Sequence, residues 1–241
     1  MTAIPDVAVS WARIDRWLAA HAPDRRAALN GPADEDEIRR LERTLHRSLP
    51  ADLVSSWRCV DGTARRVLLI PEYYDPYPIA QALDRWRMHQ RVQWEICPSE
   101  FTGQVRGFLV DVAARPAGTP GPENDMPIWI GEWLPVAGNG AGGGLLVDLR
   151  DGPLHGCVLS YDRETNPRGP LWPSVAAMWH GGCGDAQRWT AWTARRSAGR
   201  PVRSAARSAG VIADTHRAYR CWNVPRMRAC SACPSSVSRS R

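Results

Sequence analysis

The chain has 241 residues, of which 44% are hydrophobic and 23% are charged, and its net charge is +6. These proportions exclude collagen-like, coiled-coil and disulfide-scaffold proteins, and they predict one globular domain of ordinary size with an extension. No stretch approaches the roughly 20 apolar residues of a membrane-spanning helix, and charged residues interrupt the amino-terminal segment where a signal peptide has its apolar core, so we predict a cytoplasmic protein.

The first part of the chain has mainly helical periodicity. The clearest helix has acidic residues in its first turn and arginines behind them, which suits the helix dipole. A short strand is predicted over Val67–Ile70, and the turn dipeptide Asp61-Gly62 precedes it. The predicted helices run from Trp11 to His21, from Pro32 to Leu45, from Ala51 to Cys59, and from Ile79 toward Trp94.

After Trp94, short β-prone runs alternate with Gly, Pro and Asn clusters, which predicts a meander of antiparallel strands. The turn residues Arg150-Asp151-Gly152-Pro153 predict that the last two strands pair as a hairpin. We expect a long surface loop over Ala113–Asp125 and a final helix after Pro173-Ser174. The predicted strands are Gly107–Val112, Pro127–Ile130, Leu134–Ala137, Gly144–Leu149 and Gly156–Tyr161.

The charge is divided unevenly between the body and the tail of the chain. Residues 1–180 contain 19 Arg and 23 acidic residues, whereas residues 181–241 contain 12 Arg and 2 acidic residues. The tail shows no periodicity and has little apolar surface to offset the entropy of ordering it. We predict a domain over 1–182 and a tail over 183–241 that is disordered or translated out of frame.

Two motifs have the residue types of ligand sites but not the required context. A Gly-x-Gly-x-x-Gly match within Gly138–Gly144 precedes a predicted strand, whereas phosphate binding needs a helix N-terminus there, so a glycine turn is expected. Cys221, Cys230 and Cys233 with His216 are zinc-ligand types, but only one Cys-x-x-Cys pair is present. We expect no metal, no cofactor and no enzymatic activity, because no motif of an activated nucleophile or phosphate loop occurs.

Tryptophan is unusually frequent, with 12 Trp against 2 Phe. Trp129, Trp133 and Trp172 lie beside the predicted strands. Packing in the core and at its rim is one interpretation of these residues, and an aromatic binding patch is the other.

The stretch from Trp129 through Trp133-Leu-Pro-Val-Ala-Gly-Asn-Gly to Asp148-Leu, followed by Gly156-Cys-Val, resembles the SUKH superfamily. This superfamily includes the Smi/Knr type of cell-wall assembly regulator and bacterial immunity proteins. The upstream helices, Leu49-Pro50 and the Asp61-Gly62 turn agree in order, and the resemblance covers about residues 11–180.

The resemblance implies an α+β fold with a mainly antiparallel sheet flanked by helices, no catalysis, and a protein partner. Many bacterial members resemble immunity proteins that neutralise polymorphic toxins, often nucleases, and we expect this role here, by occlusion of the toxin domain. Acidic residues would face a basic cleft of the toxin, although Asp148 equally suits a turn-stabilising role. The predicted partner-binding residues are Trp129, Glu132, Trp133, Asp148, Asp151, Tyr161 and Trp172.

Two other functions remain open at this point. The arginine-rich tail is compatible with nucleic-acid binding, whose affinity would fall steeply with salt. Regulation of cell-wall assembly cannot be separated from immunity by sequence, because a binding face leaves no chemical motif.

Overall fold

The computed structural model describes residues 4–70, 74–95, 99–122, 128–162 and 165–182. All of them belong to one contact unit, Met1–Gly199. Several predictions concern residues that lie outside the described ranges. They are the tail over 183–241 and the four residues considered as zinc ligands, Cys221, Cys230, Cys233 and His216. Cys97 also lies outside these ranges. No helix in the described part of the chain is both long and apolar enough to cross a membrane.

Side-chain caps explain where some of the helices begin. Helix α1 (Val7–His21) begins four residues before the predicted start, because the Asp6 carboxylate accepts the N–H of Ala8 and caps the helix there. Asp34 caps α3 (Glu35–Leu45) in the same way, by accepting the N–H of Asp36. The helices are α1 (Val7–His21), α2 (Pro23–Arg26), α3 (Glu35–Leu45), α4 (Ala51–Cys59), α5 (Ile79–Glu95), α6 (Thr102–Ala113) and α7 (Val175–Ala177), with a 3-10 turn at Ser99–Phe101 and a π-helical turn at Met178–Gly182.

In the described part of the chain, five strands form one antiparallel sheet, and each strand pairs with the next one along the chain. This order confirms the predicted meander and the α+β class. Strands β3 and β4 pair as the predicted hairpin, with Val147 opposite Val158, and the glycine turn joins β2 to β3. The strands are β1 (Asp75–Pro76), β2 (Trp133–Gly138), β3 (Gly144–Asp148), β4 (Val158–Tyr161) and β5 (Pro170–Trp172).

The predictions of strands at Gly107–Val112 and Val67–Ile70 are wrong. Gly107–Val112 lies inside α6, where Val105 and Val112 are buried at helical spacing. The prediction failed because so short an apolar run fits the periodicity of a strand as well as that of a helix. Among the residues that the structure describes, Val67–Ile70 pairs only through one isolated bridge, from Ile70 to Tyr74. Leu68 has a φ of 54°, which is incompatible with a strand, and the N–H groups of Val67 and Leu68 both donate to the Asp75 carboxylate instead of to a ladder.

Two further segments differ from the prediction. Residues 128–130 are buried but form no strand, and Pro127 lies outside the described residues. The loop predicted over Ala113–Asp125 begins within α6 and is not confined to the surface, because Ala117, Gly118 and Gly121 are buried.

The sheet has an apolar cluster on each face, because successive strand residues point to opposite sides. Leu145, Val147 and Val158 belong to the larger cluster, which includes buried residues of α1, α3, α4 and α5. Leu146 and Leu159 belong to the smaller cluster, which includes Val112 of α6 and the aromatic residues described below. Both faces of the sheet are therefore covered.

Candidate binding site

Three of the predicted binding residues form one aromatic cluster in the interior. The Trp129 ring stacks on His89 of α5 with 3.8 Å between centroids, and it meets Trp133 and Tyr161 edge to face. Trp129, Trp133 and Tyr161 are only 6%, 0% and 8% exposed. The packing interpretation therefore holds for these residues, and the prediction that they form a surface patch does not.

Helix α5 holds this cluster in place. The Oε1 of buried Gln93 accepts the backbone N–H of Trp129 at 2.8 Å, one turn after His89. Burial raises the pKa of Tyr161, so its hydroxyl stays protonated. Burial also lowers the pKa of His89 to about 4, with a smaller contribution from the positive charge of Arg85, so the imidazole is neutral at physiological pH.

His89→Phe is expected to weaken the acid sensitivity of the fold. The unfolded chain binds the imidazole proton near pH 6.5 and the folded chain only near pH 4, so the folded state loses about 3 kcal/mol from this group as the pH falls through that range. Phenylalanine keeps an aromatic ring on Trp129 but binds no proton. Urea unfolding at several pH values should show a shallower loss for the variant, and identical profiles would contradict this account.

Asp148 is buried and paired, not exposed to a partner. Its Oδ2 lies 2.6 Å from the Arg150 guanidinium, and both side chains are fully buried. Arg150 also donates to the carbonyls of Val112 and Thr119, and Asp148 accepts the N–H of Gly118. The pair thus joins the β3–β4 loop to the C-terminal end of α6 and to the segment that follows it. This position fits the turn-stabilising interpretation of Asp148 and corrects its assignment to the binding surface.

The remaining predicted residues do not complete an acidic surface. Glu132 pairs with Arg47 at 2.7 Å and is largely buried, whereas Asp151 is exposed in the β3–β4 loop. Trp172 lies on edge strand β5 and packs against the larger apolar cluster. Of the three predicted acidic residues, Asp151 is therefore the one that is exposed.

An open groove of about 410 Å³ lies between α1 and the segment 27–32. Trp11, Asp15 and Ala19 form its wall on α1, Leu29 lies on the opposite wall, and Cys59 also lines it. The sequence did not predict this groove. The sequence shows that Trp11, Asp15 and Ala19 lie at four-residue intervals along one helix, but it does not show which segment faces them.

The groove contains both apolar and charged groups. Asp15 and Arg26 form a two-bond ion pair, with Nε–Oδ1 and Nη2–Oδ2 distances of 2.7 and 3.1 Å. Burial, and then the carboxylate of Asp6, raise the pKa of the Cys59 thiol. Burial likewise raises the pKa of Cys157 to about 12, so both thiols are weak nucleophiles at neutral pH.

A five-stranded antiparallel sheet with helices packed on both faces defines an α+β domain, and residues 32–179 match the SMI1 / KNR4 family (SUKH-1). The chain belongs to this family, which confirms the resemblance seen in the sequence.

Two fungal proteins are similar to the chain. A KNR4/SMI1 homolog of Yarrowia lipolytica is 28% identical over 198 residues, an alignment that covers 66% of this chain and 28% of that protein. The cell wall biosynthesis/cell cycle regulator smi1 of Schizosaccharomyces pombe is 26% identical over 171 residues, with 68% and 33% covered. The chain therefore matches a third or less of the length of either relative.

Proposed function

We propose that this chain is a non-enzymatic protein-binding domain. The described side chains whose chemistry could serve catalysis instead stabilise the fold, and this observation supports the proposal most. Asp148 and Arg150 neutralise each other in the interior, Cys157 and Tyr161 are kept protonated by burial, and His89 is stacked and neutral. The groove beside α1, by contrast, is open to solvent and offers apolar and charged contacts together.

Two biological roles suit such a domain. Regulation of cell-wall biosynthesis is favoured by the description of the Schizosaccharomyces pombe relative. Neutralisation of a toxin remains our prediction from the resemblance, but the acidic residues on which its mechanism depended are largely buried or paired. We therefore give cell-wall regulation precedence over the immunity role.

We also propose a cytoplasmic location. Cys59 and Cys157 are free thiols. Free buried or half-buried thiols are typical of reducing compartments.

Removing the tail, residues 183–241, distinguishes a protein-binding function from a nucleic-acid-binding function. Both apolar clusters consist of residues between Val7 and Trp179, so a chain that ends at Gly182 keeps the whole described core. We expect tagged full-length and shortened chains to co-purify with the same protein from host cells after nuclease treatment. Loss of all co-purifying protein on shortening, with nucleic acid bound only by the full-length chain when the nuclease is omitted, would contradict the proposal.

A further inference from the structure

We propose that the outer face of α6 is a self-association surface, at which two copies of this chain pair with their α6 helices side by side and parallel. This inference goes beyond the proposed protein-binding function. Helix α6 packs on the smaller apolar cluster, on one face of the sheet, whereas α1 packs on the larger cluster, on the other face. A dimer formed through α6 therefore leaves the groove beside α1 open.

The outer face of α6 has an apolar residue at its centre. Val110 is 62% exposed, whereas Val105 and Val112 of the same helix are buried toward the sheet. The neighbours of Val110 on this face follow at alternating intervals of four and three residues, which is the spacing of the contact line between two helices of a coiled coil. We call this line of exposed residues the α6 seam: Gly103, Gly107, Val110 and Ala114.

The seam allows a second helix to approach closely. A Cβ atom at Gly103 or Gly107 would meet no other part of the chain within 4 Å. Glycine destabilises a helix relative to alanine, and nothing in the described part of the chain lies close enough to Gly107 to require it. In a parallel pair, Val110 of each copy packs against Val110 of the other, in the space that Gly107 and Ala114 leave.

Two charged residues lie on opposite flanks of the seam. Arg106 precedes Gly107 and Asp111 follows Val110, and successive residues of a helix are rotated by about 100°, so one charge lies on each side of the line. Both residues are exposed. Asp111 belongs to none of the ion pairs between described residues, and the Arg106 guanidinium lies 5.5 Å from the ring centroid of Trp94. Both charges are therefore accessible to a second copy.

The positions of these charges select the parallel arrangement. When a two-fold axis runs parallel to the two helices, the Arg106 flank of one copy faces the Asp111 flank of the other. The two residues are then offset by about 7.5 Å along the helices, a distance that the long arginine side chain spans. In an antiparallel pair, Arg106 instead faces Arg106 and Asp111 faces Asp111. The parallel dimer thus has two contacts between opposite charges, whereas the antiparallel dimer has contacts between like charges.

Sedimentation equilibrium of the full chain, at concentrations up to about 1 mM and with a reducing agent that excludes disulfide-linked dimers, measures this association. The seam spans only about three helical turns, so we expect a weak dimer with a Kd in the micromolar range. Val110→Arg should raise Kd at least about tenfold. Val9→Arg is the matched control, because Val9 is also 62% exposed but lies on α1, and it should change Kd less than about twofold. Thermal melts establish that both variants fold.

Exchange of the two charges tests the orientation. Arg106→Asp and Asp111→Arg each place like charges opposite one another across the parallel pair, so each should raise Kd at least about threefold. The double variant restores opposite charges and should return Kd to within about twofold of its original value. In an antiparallel pair, Arg106→Asp would leave like charges opposite one another and Kd unchanged.

Four results would overturn the inference. The first is a full chain that stays monomeric at about 1 mM. The second is a dimer that Val9→Arg weakens as much as Val110→Arg does, because the seam would then not be the interface. The third is an unchanged Kd for Arg106→Asp, and the fourth is a double variant that associates no more tightly than the single variants, because either would exclude the parallel pairing of charges.

Discussion

Replacing Arg150 with Met is expected to lower the free energy of unfolding by about 3–5 kcal/mol, because it leaves the buried Asp148 carboxylate without its counter-charge. The substitution also removes the hydrogen bonds from the guanidinium to the carbonyls of Val112 and Thr119, which anchor the β3–β4 loop to the end of α6 and to the segment after it. Urea unfolding, followed by circular dichroism and tryptophan fluorescence, measures the loss.

Two matched variants control for this prediction. Arg47→Met breaks the partly exposed pair with Glu132 and should cost about 1 kcal/mol or less. The double variant Asp148→Leu with Arg150→Met removes both buried charges and should recover most of the stability lost in the single variant. A loss for Arg150→Met no greater than that for Arg47→Met would contradict the structural role assigned to the buried pair.

Trp133→Ala is expected to destabilise the fold by about 3–5 kcal/mol, because the indole is completely buried and its removal opens a large cavity. Trp133 meets Trp129 edge to face, and the Arg150 guanidinium lies 5.6 Å from its ring centroid. Thermal and urea unfolding measure the effect.

Trp94→Ala is the matched control, because Trp94 is 39% exposed at the end of α5. This substitution should lower the free energy of unfolding by about 1 kcal/mol or less. The comparison also separates the two interpretations of the tryptophans. If Trp133→Ala left stability unchanged and abolished partner binding, Trp133 would be a surface anchor after all.

Sequence patterns identified the elements whose signals are local. The acidic first turn of α3 and its apolar stripe lie within eleven residues, and the β3–β4 hairpin has its turn residues between its two strands. The α6 helix was mistaken for a strand because its apolar residues suit either period over so short a run. Val67–Ile70 has strand-forming residues, but the Asp75 carboxylate takes two of its N–H groups.

The binding site depended on tertiary packing and was predicted poorly. Nothing in the sequence shows that Asp148 is enclosed by Arg150 and Gly118, or that Glu132 meets Arg47 across 85 positions of the chain. The groove requires α1 to face the segment 27–32, and that arrangement follows from how both pack on the shared core. Composition indicated a surplus of tryptophan without indicating which indoles are buried.

Hydrogen–deuterium exchange of the full chain, alone and in complex with its co-purified protein partner, tests the central claim most directly. We expect slower exchange on binding in α1 and in residues 27–32, with the amides of β2, β3 and β4 unchanged. Slower exchange confined to the β3–β4 loop around Asp151, with α1 and residues 27–32 unaffected, would contradict it.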